Sequence, residues 1–357
     1  MKYEYWFANI RGLSNARKRE LRLGMKNIEM LYYIEETQSD FCGLTENEID
    51  VIRESAKGWQ LDESYEKMLK KGVKMVTIYD SCYPTRLKEL STAPYALYVR
   101  GRVPQDCFSV AIVGARECSS YGRSMAKEFG VTLAKAGVYV VSGMANGVDS
   151  ASQNGALEAG GVSFGVLGCG VDICYPREQI SLYTRLQEQG GVLSEFPVGT
   201  KPLPQHFPAR NRIISGLADV VLVIEAKEKS GSLITADMAL EQGKDVYALP
   251  GPVTSCLSSG CNRLIKQGAG VLLTPEELLE ELEICHTKFQ EKQRGEKILL
   301  ETTENIVYSC LGFYPKNVEQ IMQESKLLPK DLLSTLLGLE LKGYIQEISK
   351  NHYVKIR

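Results

Sequence analysis

HFPARNRIISGLADVVLVIEAKEKSGSLITA, residues 206–236, contains a basic turn, a short apolar run and a serine–glycine–serine turn that opens a new helical pattern. The basic turn is Arg210, Asn211 and Arg212. The run Val220–Ile224 is too short for a helix and rich in β-branched residues, so it predicts a buried strand. A strand that empties into Ser230-Gly231-Ser232 at the start of a helix makes an anion site: unpaired backbone N–H groups gather there, and the helix dipole is positive. Taken alone, the same residues also fit a plain N-cap at Ser230 with solvated arginines upstream.

Around this stretch the chain repeats one theme from Phe108 to about Leu282. Apolar β-rich runs (SVAIVG, VYVVSG, VSFGVLG, VVLVIEA, DVYALPG, GVLL) each reach a turn, and most lead into a helix-period segment. Met125, Phe129 and Leu133 recur at i, i+4, i+8, a stripe suited to packing on a sheet. Strands alternating with helices at this spacing predict right-handed βαβ units and an α/β fold, a Rossmann-like doubly wound, mostly parallel sheet covered on both faces. KMVTIYD and YALYVRG, separated by two prolines, predict short strands at the edge of that sheet.

The flanks have their own logic. Residues 1–70 predict a small helical module in which Gly12 and Leu13 separate two amphipathic patterns, with Arg17, Lys18, Arg19 and Arg22 just beyond. A helix-hairpin-helix-like or SAM-like module could hold a phosphate there, or the cations could form a solvated face. The core spans 71–284. Residues 285–300 are charged and apolar-poor, as expected of a linker. Three helical patterns and a hairpin turning at Ser349-Lys350-Asn351 predict a winged helix over 301–357. Its third helix carries Lys330 and Lys342 against Asp331 and Glu340 among many leucines, which favours a structural or protein-contact role over DNA binding.

Composition narrows the function classes. The 357 residues are 44% hydrophobic and 24% charged, ordinary for a soluble globular chain, and the net charge of -2 denies any global basic field. A polyanion must therefore be held by local cations and backbone amides. No signal-peptide pattern is seen, so the ten cysteines read as reduced thiols in a cytoplasmic chain. Three scattered histidines, His206, His286 and His352, argue against a metal site, and no apolar run approaches the roughly 20 residues of a membrane span.

In a parallel sheet all carboxyl ends lie on one edge, where ligands bind. That rim gathers Gly114 and Arg116 after the first strand, Ser142 and Gly143 after the second, Gly168 and Gly170 with Tyr175-Pro176-Arg177 after the third, and Arg210, Arg212 and Ser230–Ser232 around the fourth. Neither G-x-G-x-x-G nor Gly-Lys-Ser/Thr is present, so no cofactor is expected. Several phosphate-sized nests in a row suit an extended single strand, with Tyr121, Tyr175 and Phe207 available to stack on bases. Asp149 sits where an N-cap belongs and Glu225 ends a buried strand; both read as structural, and no residue set reads as catalytic.

GARECSSYG, SGMANGVDSAS, GVLGCGVDICYPRE, LSEFP, HFPARNRIISGL, EAKEKSGSLITA and PG…GCNRLIKQGA follow one another as in the DNA-processing protein A family, also called DprA or Smf, which this chain resembles from about Val73 to Leu282. The resemblance implies a non-enzymatic single-stranded DNA binder that forms homodimers through its core and helps load RecA onto incoming DNA in natural transformation. It also implies a DNA pocket using Arg116, Arg177, Phe207, Arg210, Asn211 and Arg212. Where some members place a lysine before the phenylalanine, this chain has Pro204, with Lys201 as the nearby substitute. Two other readings stay open: a phosphoribohydrolase-like hydrolase using Asp149 or Glu225, although its GGxGT motif is missing, and a protein adaptor.

Overall fold

The computed structural model describes residues 1–25, 27–34, 43–284, 302–312 and 315–355; the expected linker lies outside the described residues. Among the described residues five helices open the chain: α1 (Lys2–Ala8), α2 (Asn15–Gly24), α3 (Glu29–Tyr32), α4 (Glu46–Lys57) and α5 (Leu61–Lys70). Ser14 caps α2, and Thr45 with Glu48 closes a reciprocal cap on α4, so each start is fixed by a side chain that satisfies an orphan amide. Trp6 and Phe7 are fully buried, in one apolar cluster with Tyr95, Tyr98 and Leu186 of the body that follows.

The four cations after the Gly12 turn are engaged by the protein's own acceptors. Arg17 is held by Glu48 and Glu20, Arg22 by Glu4, and Arg19 donates to the Leu90 and Ser91 carbonyls. Lys18 is buried and donates to the Ala8 carbonyl at 2.7 Å, with burial pushing its ammonium down to about 8. The basic segment is thus internal stitching.

The core runs β1 (Lys74–Thr77), α6 (Thr85–Lys88), β2 (Ala96–Gly101), β3 (Ser109–Val113), α7 (Ser120–Lys135), β4 (Tyr139–Ser142), α8 (Val148–Glu158), β5 (Ser163–Val166), α9 (Ile180–Gln189), β6 (Gly191–Ser194), α10 (His206–Leu217), β7 (Val220–Val223), α11 (Gly231–Glu241), β8 (Asp245–Ala248), α12 (Ser259–Lys266), β9 (Gly270–Val271) and α13 (Pro275–Glu281). The strand order is β1-β2-β6-β5-β4-β3-β7-β8-β9; β3 to β9 are mutually parallel, and β1 and β2 close one edge antiparallel. Along β3, Val110 and Ile112 pack with α7 and α8, while Ala111 and Val113 pack with α10 and α11. Burial on both faces is why these strands read as unbroken apolar runs. The strand β6 was not expected from the sequence: the four residues Gly191–Ser194, between Gly190 and Glu195, are too brief a run to stand out.

The order reverses between β3, whose other neighbour is β4, and β7, which leads to β8 and β9. This is the switch point of a doubly wound sheet, and the crevice at its carboxyl edge is where such folds bind ligands.

The C-terminal unit has α14 (Thr302–Cys310), β10 (Lys316–Asn317), α15 (Val318–Ser325), α16 (Pro329–Leu341), β11 (Ile345–Ser349) and β12 (His352–Lys355), with its own core around Val307, Ile321, Leu336 and Ile345. The hairpin turns at Asn351, whose φ is 62°, a conformation asparagine tolerates. Lys342 pairs with Glu304 at 2.7 Å, tying the end of the third helix to α14. Among the described residues no helix is long and apolar enough to cross a membrane, and no cluster of His, Cys, Asp or Glu could hold a metal.

Candidate nucleic-acid interface

A cleft of about 510 Å³ opens at the switch point, lined by Gly114, Arg116, Asp149, Tyr175, Phe207, Arg210, Asn211, Lys229 and Ser230–Ser232, among others. Loops leaving the strands, together with the helices α8, α10 and α11, build it. The loop after β3 carries Arg116, exposed and in no ion pair among the described residues, its guanidinium 5.5 Å from the centre of the Phe207 ring. Tyr175 faces the same ring at 5.5 Å with a 31° tilt and is 39% exposed. The cation and the two aromatic faces form one wall.

The start of α11 lines the same cleft. Ser230 caps it by accepting the Ser232 N–H, and the two hydroxyls lie 2.7 Å apart. Lys229, exposed and also without an ion pair among the described residues, stands one residue before the cap. Sequence reasoning missed it, although its place beside the Ser-Gly-Ser turn was the available signal. An anion entering here meets a helix dipole, backbone amides and two cations.

The floor is Arg210 and Asp149. Arg210 is 5% exposed; one nitrogen donates to the Gly143 carbonyl at 2.9 Å and also to the Val166 carbonyl, so it ties together the exits of β4 and β5. Burial pushes its guanidinium down to about 10, with Asp149 opposing that shift. Burial likewise raises the Asp149 carboxyl against the pull of Arg210; it accepts the Gly143 and Ala145 N–H groups at 3.1 and 3.4 Å. A methyl at Gly143 would stand 2.6 Å from the Arg210 guanidinium, so only glycine lets the side chain pass. Asn211 donates to the Gly231 carbonyl at 3.2 Å, joining α10 to the mouth of α11.

The expected basic turn at 210–212 is the middle of a helix. Pro208 lies in the first turn of α10, where its missing N–H costs nothing, so it does not stop the helix. Helical geometry then separates the two arginines: residues two apart do not share a face. Arg210 and Asn211 line the cleft, whereas Arg212 turns to the other side and pairs with Glu195, which is partly buried and receives Asn15 of the N-terminal module as well. The expectation that Arg116 and Arg212 share one groove is therefore corrected.

The remaining expected residues divide. Gly114 lines the cleft, and Gly168 lies against the Phe207 ring, leaving no room for a side chain. Gly170 borders Asp172, which accepts Lys71 and the Gly199 N–H, one layer away from the cleft. Ser142 is fully buried and donates to the Ile112 carbonyl, a strand-to-strand tie. Arg177 is exposed at the turn following Tyr175-Pro176, and Lys201 is exposed on the loop before α10; neither lines the cleft.

Residues 74–283 match the family model described as DNA recombination-mediator protein A. The chain belongs to that family. Residues 293–349 match the model of the DprA winged helix domain. Protein Smf of Escherichia coli (strain K12) is 40% identical over 292 residues, covering 77% of this chain and 75% of the relative. The DNA processing protein DprA of Streptococcus pneumoniae is 42% identical over 208 residues, covering 58% and 73%. Among solved structures, DprA from Streptococcus pneumoniae superposes with a TM-score of 0.68 at 35% identity, covering 79% of this chain and 98% of that one. DNA processing protein A from Helicobacter pylori, whose structure is described as revealing a single-stranded DNA binding mode, gives 0.54 at 29% identity, covering 60% and 97%.

Proposed function

We propose that this protein binds single-stranded DNA along the carboxyl-end rim of its parallel sheet, protects it, and helps load RecA onto it during natural transformation, acting without chemical turnover, as a homodimer and in the cytoplasm. The observation that carries the reading is the composition of the switch-point cleft. Two cations without an ion pair among the described residues and a capped helix N-terminus line one cleft with a pair of aromatic rings, so phosphate and base each have a partner in one space. The family membership and the single-stranded DNA binding described for the Helicobacter pylori protein support the same ligand. The carboxylates support binding over hydrolysis. Asp149 is engaged by two amides beneath Arg210, and the Glu225 carboxylate is turned under a loop onto Ser119.

The test is anisotropy of labelled thymidine oligomers of increasing length, competed with mononucleotides, over a salt series. Length-dependent binding is expected, and Arg116→Ala should bind about tenfold more weakly, as loss of one charge-assisted contact implies. The magnitude of its slope of log affinity against log salt should fall by about 0.7, the share of one phosphate on a single strand. Turnover of a nucleoside phosphate without strand binding would refute the reading.

A further inference from the structure

A buried carboxylate on a rim built for anions is a paradox. Glu225 is 5% exposed and lies two residues past the end of β7, on the strand whose exit loop carries Lys229 and Ser230. Its negative charge can only weaken the hold on a phosphate, so its presence calls for a geometric role.

We propose that Glu225 is a positioning residue for the strand-binding cleft, holding the Arg116 loop at a fixed distance from the Ser230 turn; this rests on the function proposed above. The main-chain carbonyl of Glu225 accepts the Ala115 N–H at 2.7 Å. Its carboxylate accepts the Ser119 N–H at 2.8 Å and the Ser119 hydroxyl at 2.5 Å. One residue therefore ties both ends of the loop, and only Arg116, Glu117 and Cys118 lie between the ties.

The tie extends into α7. The Ser119 hydroxyl that donates to Glu225 also accepts the Gly122 N–H at 3.0 Å, capping the helix. A methyl at Gly122 would stand 2.4 Å from a carboxylate oxygen of Glu225, so glycine is what leaves room for the clamp. From the other side the loop is backed by main chain: Val148 N–H donates to the Ala115 carbonyl at 3.2 Å, and a methyl at Gly147 would stand 2.5 Å from the Arg116 carbonyl. The loop is pinned beneath and behind, and Arg116 is the side chain it presents to the cleft.

The experiment measures thymidine-oligomer affinity across a salt series for the full chain carrying Glu225→Ala, Glu225→Gln, Arg116→Ala and the double variant Glu225→Ala/Arg116→Ala. Glu225→Ala should bind about tenfold more weakly, with the slope reduced in magnitude by about 0.7, because the Arg116 contact is lost with its support. The double variant should bind within about twofold of Arg116→Ala, since contacts acting through one another are not additive. Glu225→Gln keeps an acceptor for the Ser119 N–H and should recover most of the affinity. If Glu225→Ala does not fold, Gly122→Ala carries the same test, because its methyl displaces the carboxylate.

Two results overturn the proposal: Glu225→Ala binding as tightly as the parent or tighter, as a purely electrostatic carboxylate requires, or its loss adding in full to that of Arg116→Ala. Failure of the binding reading looks different, because Arg116→Ala itself would then leave affinity and slope unchanged.

Discussion

Arg212→Ala separates a residue that resembles a DNA ligand from one that touches DNA. In the structure Arg212 pairs with Glu195 at side-chain exposures of 16% and 13%, and Gln242 donates to its carbonyl. Burial raises the Glu195 carboxyl, with Arg212 as the largest opposing influence. Removing the arginine leaves that largely enclosed carboxylate without its main partner, a loss of about 3 kcal/mol, the low end for a buried pair. At roughly 2–4 °C per kcal/mol for a unit of 150–250 residues, the melting temperature should fall by roughly 6–12 °C. Differential scanning fluorimetry reads that shift. In parallel, the salt dependence of oligomer binding, measured well below the transition, should keep the parent's slope, since no phosphate contact has been removed. A variant that melts like the parent and loses slope would show that Arg212 swings out to the strand, and the assignment to the Glu195 pair would be wrong.

Two further perturbations have opposite signatures. Phe207→Ala removes the ring against which Arg116 and Tyr175 lie, and should cost about 1–3 kcal/mol of strand affinity with an unchanged salt slope, because stacking releases no counterions; a changed slope would indicate that the ring serves only to place Arg116. Lys18→Met replaces an ammonium whose folded value, about 8, lies below its unfolded one near 10.5. The unfolded chain then binds more protons between those values, so this lysine's penalty is present in full below pH 8 and fades as pH rises towards about 10.5. The gap in melting temperature between Lys18→Met and the parent should shift in the parent's favour over that window, and a gap that stays flat there would place Lys18 in solvent.

The sheet was legible because burial on both faces leaves a mark that no surface element imitates: Val110–Val113 and Val220–Val223 can be apolar throughout only if helices cover them twice. The rim followed from topology alone, since parallel strands put every exit on one edge. What could not be read was the state of the segment at 206–217. A proline early in a basic stretch fits a turn and fits the first turn of a helix equally well, and the two alternatives aim the side chains differently. As a turn, Arg210 and Arg212 could converge on one ligand; as a helix, they are about 200° apart. The N-terminal cations failed for a related reason. Whether Arg17, Arg22 and Lys18 are free depends on Glu48, Glu4 and the Ala8 carbonyl, partners that only the packed fold brings within reach. Charge count along a sequence gives the cations a protein has, and folding decides which remain for a ligand. In the switch-point cleft those are Arg116 and Lys229, both on loops that leave strands of the central pair, whereas the buried Arg210 is spent on the carbonyls that shape the floor.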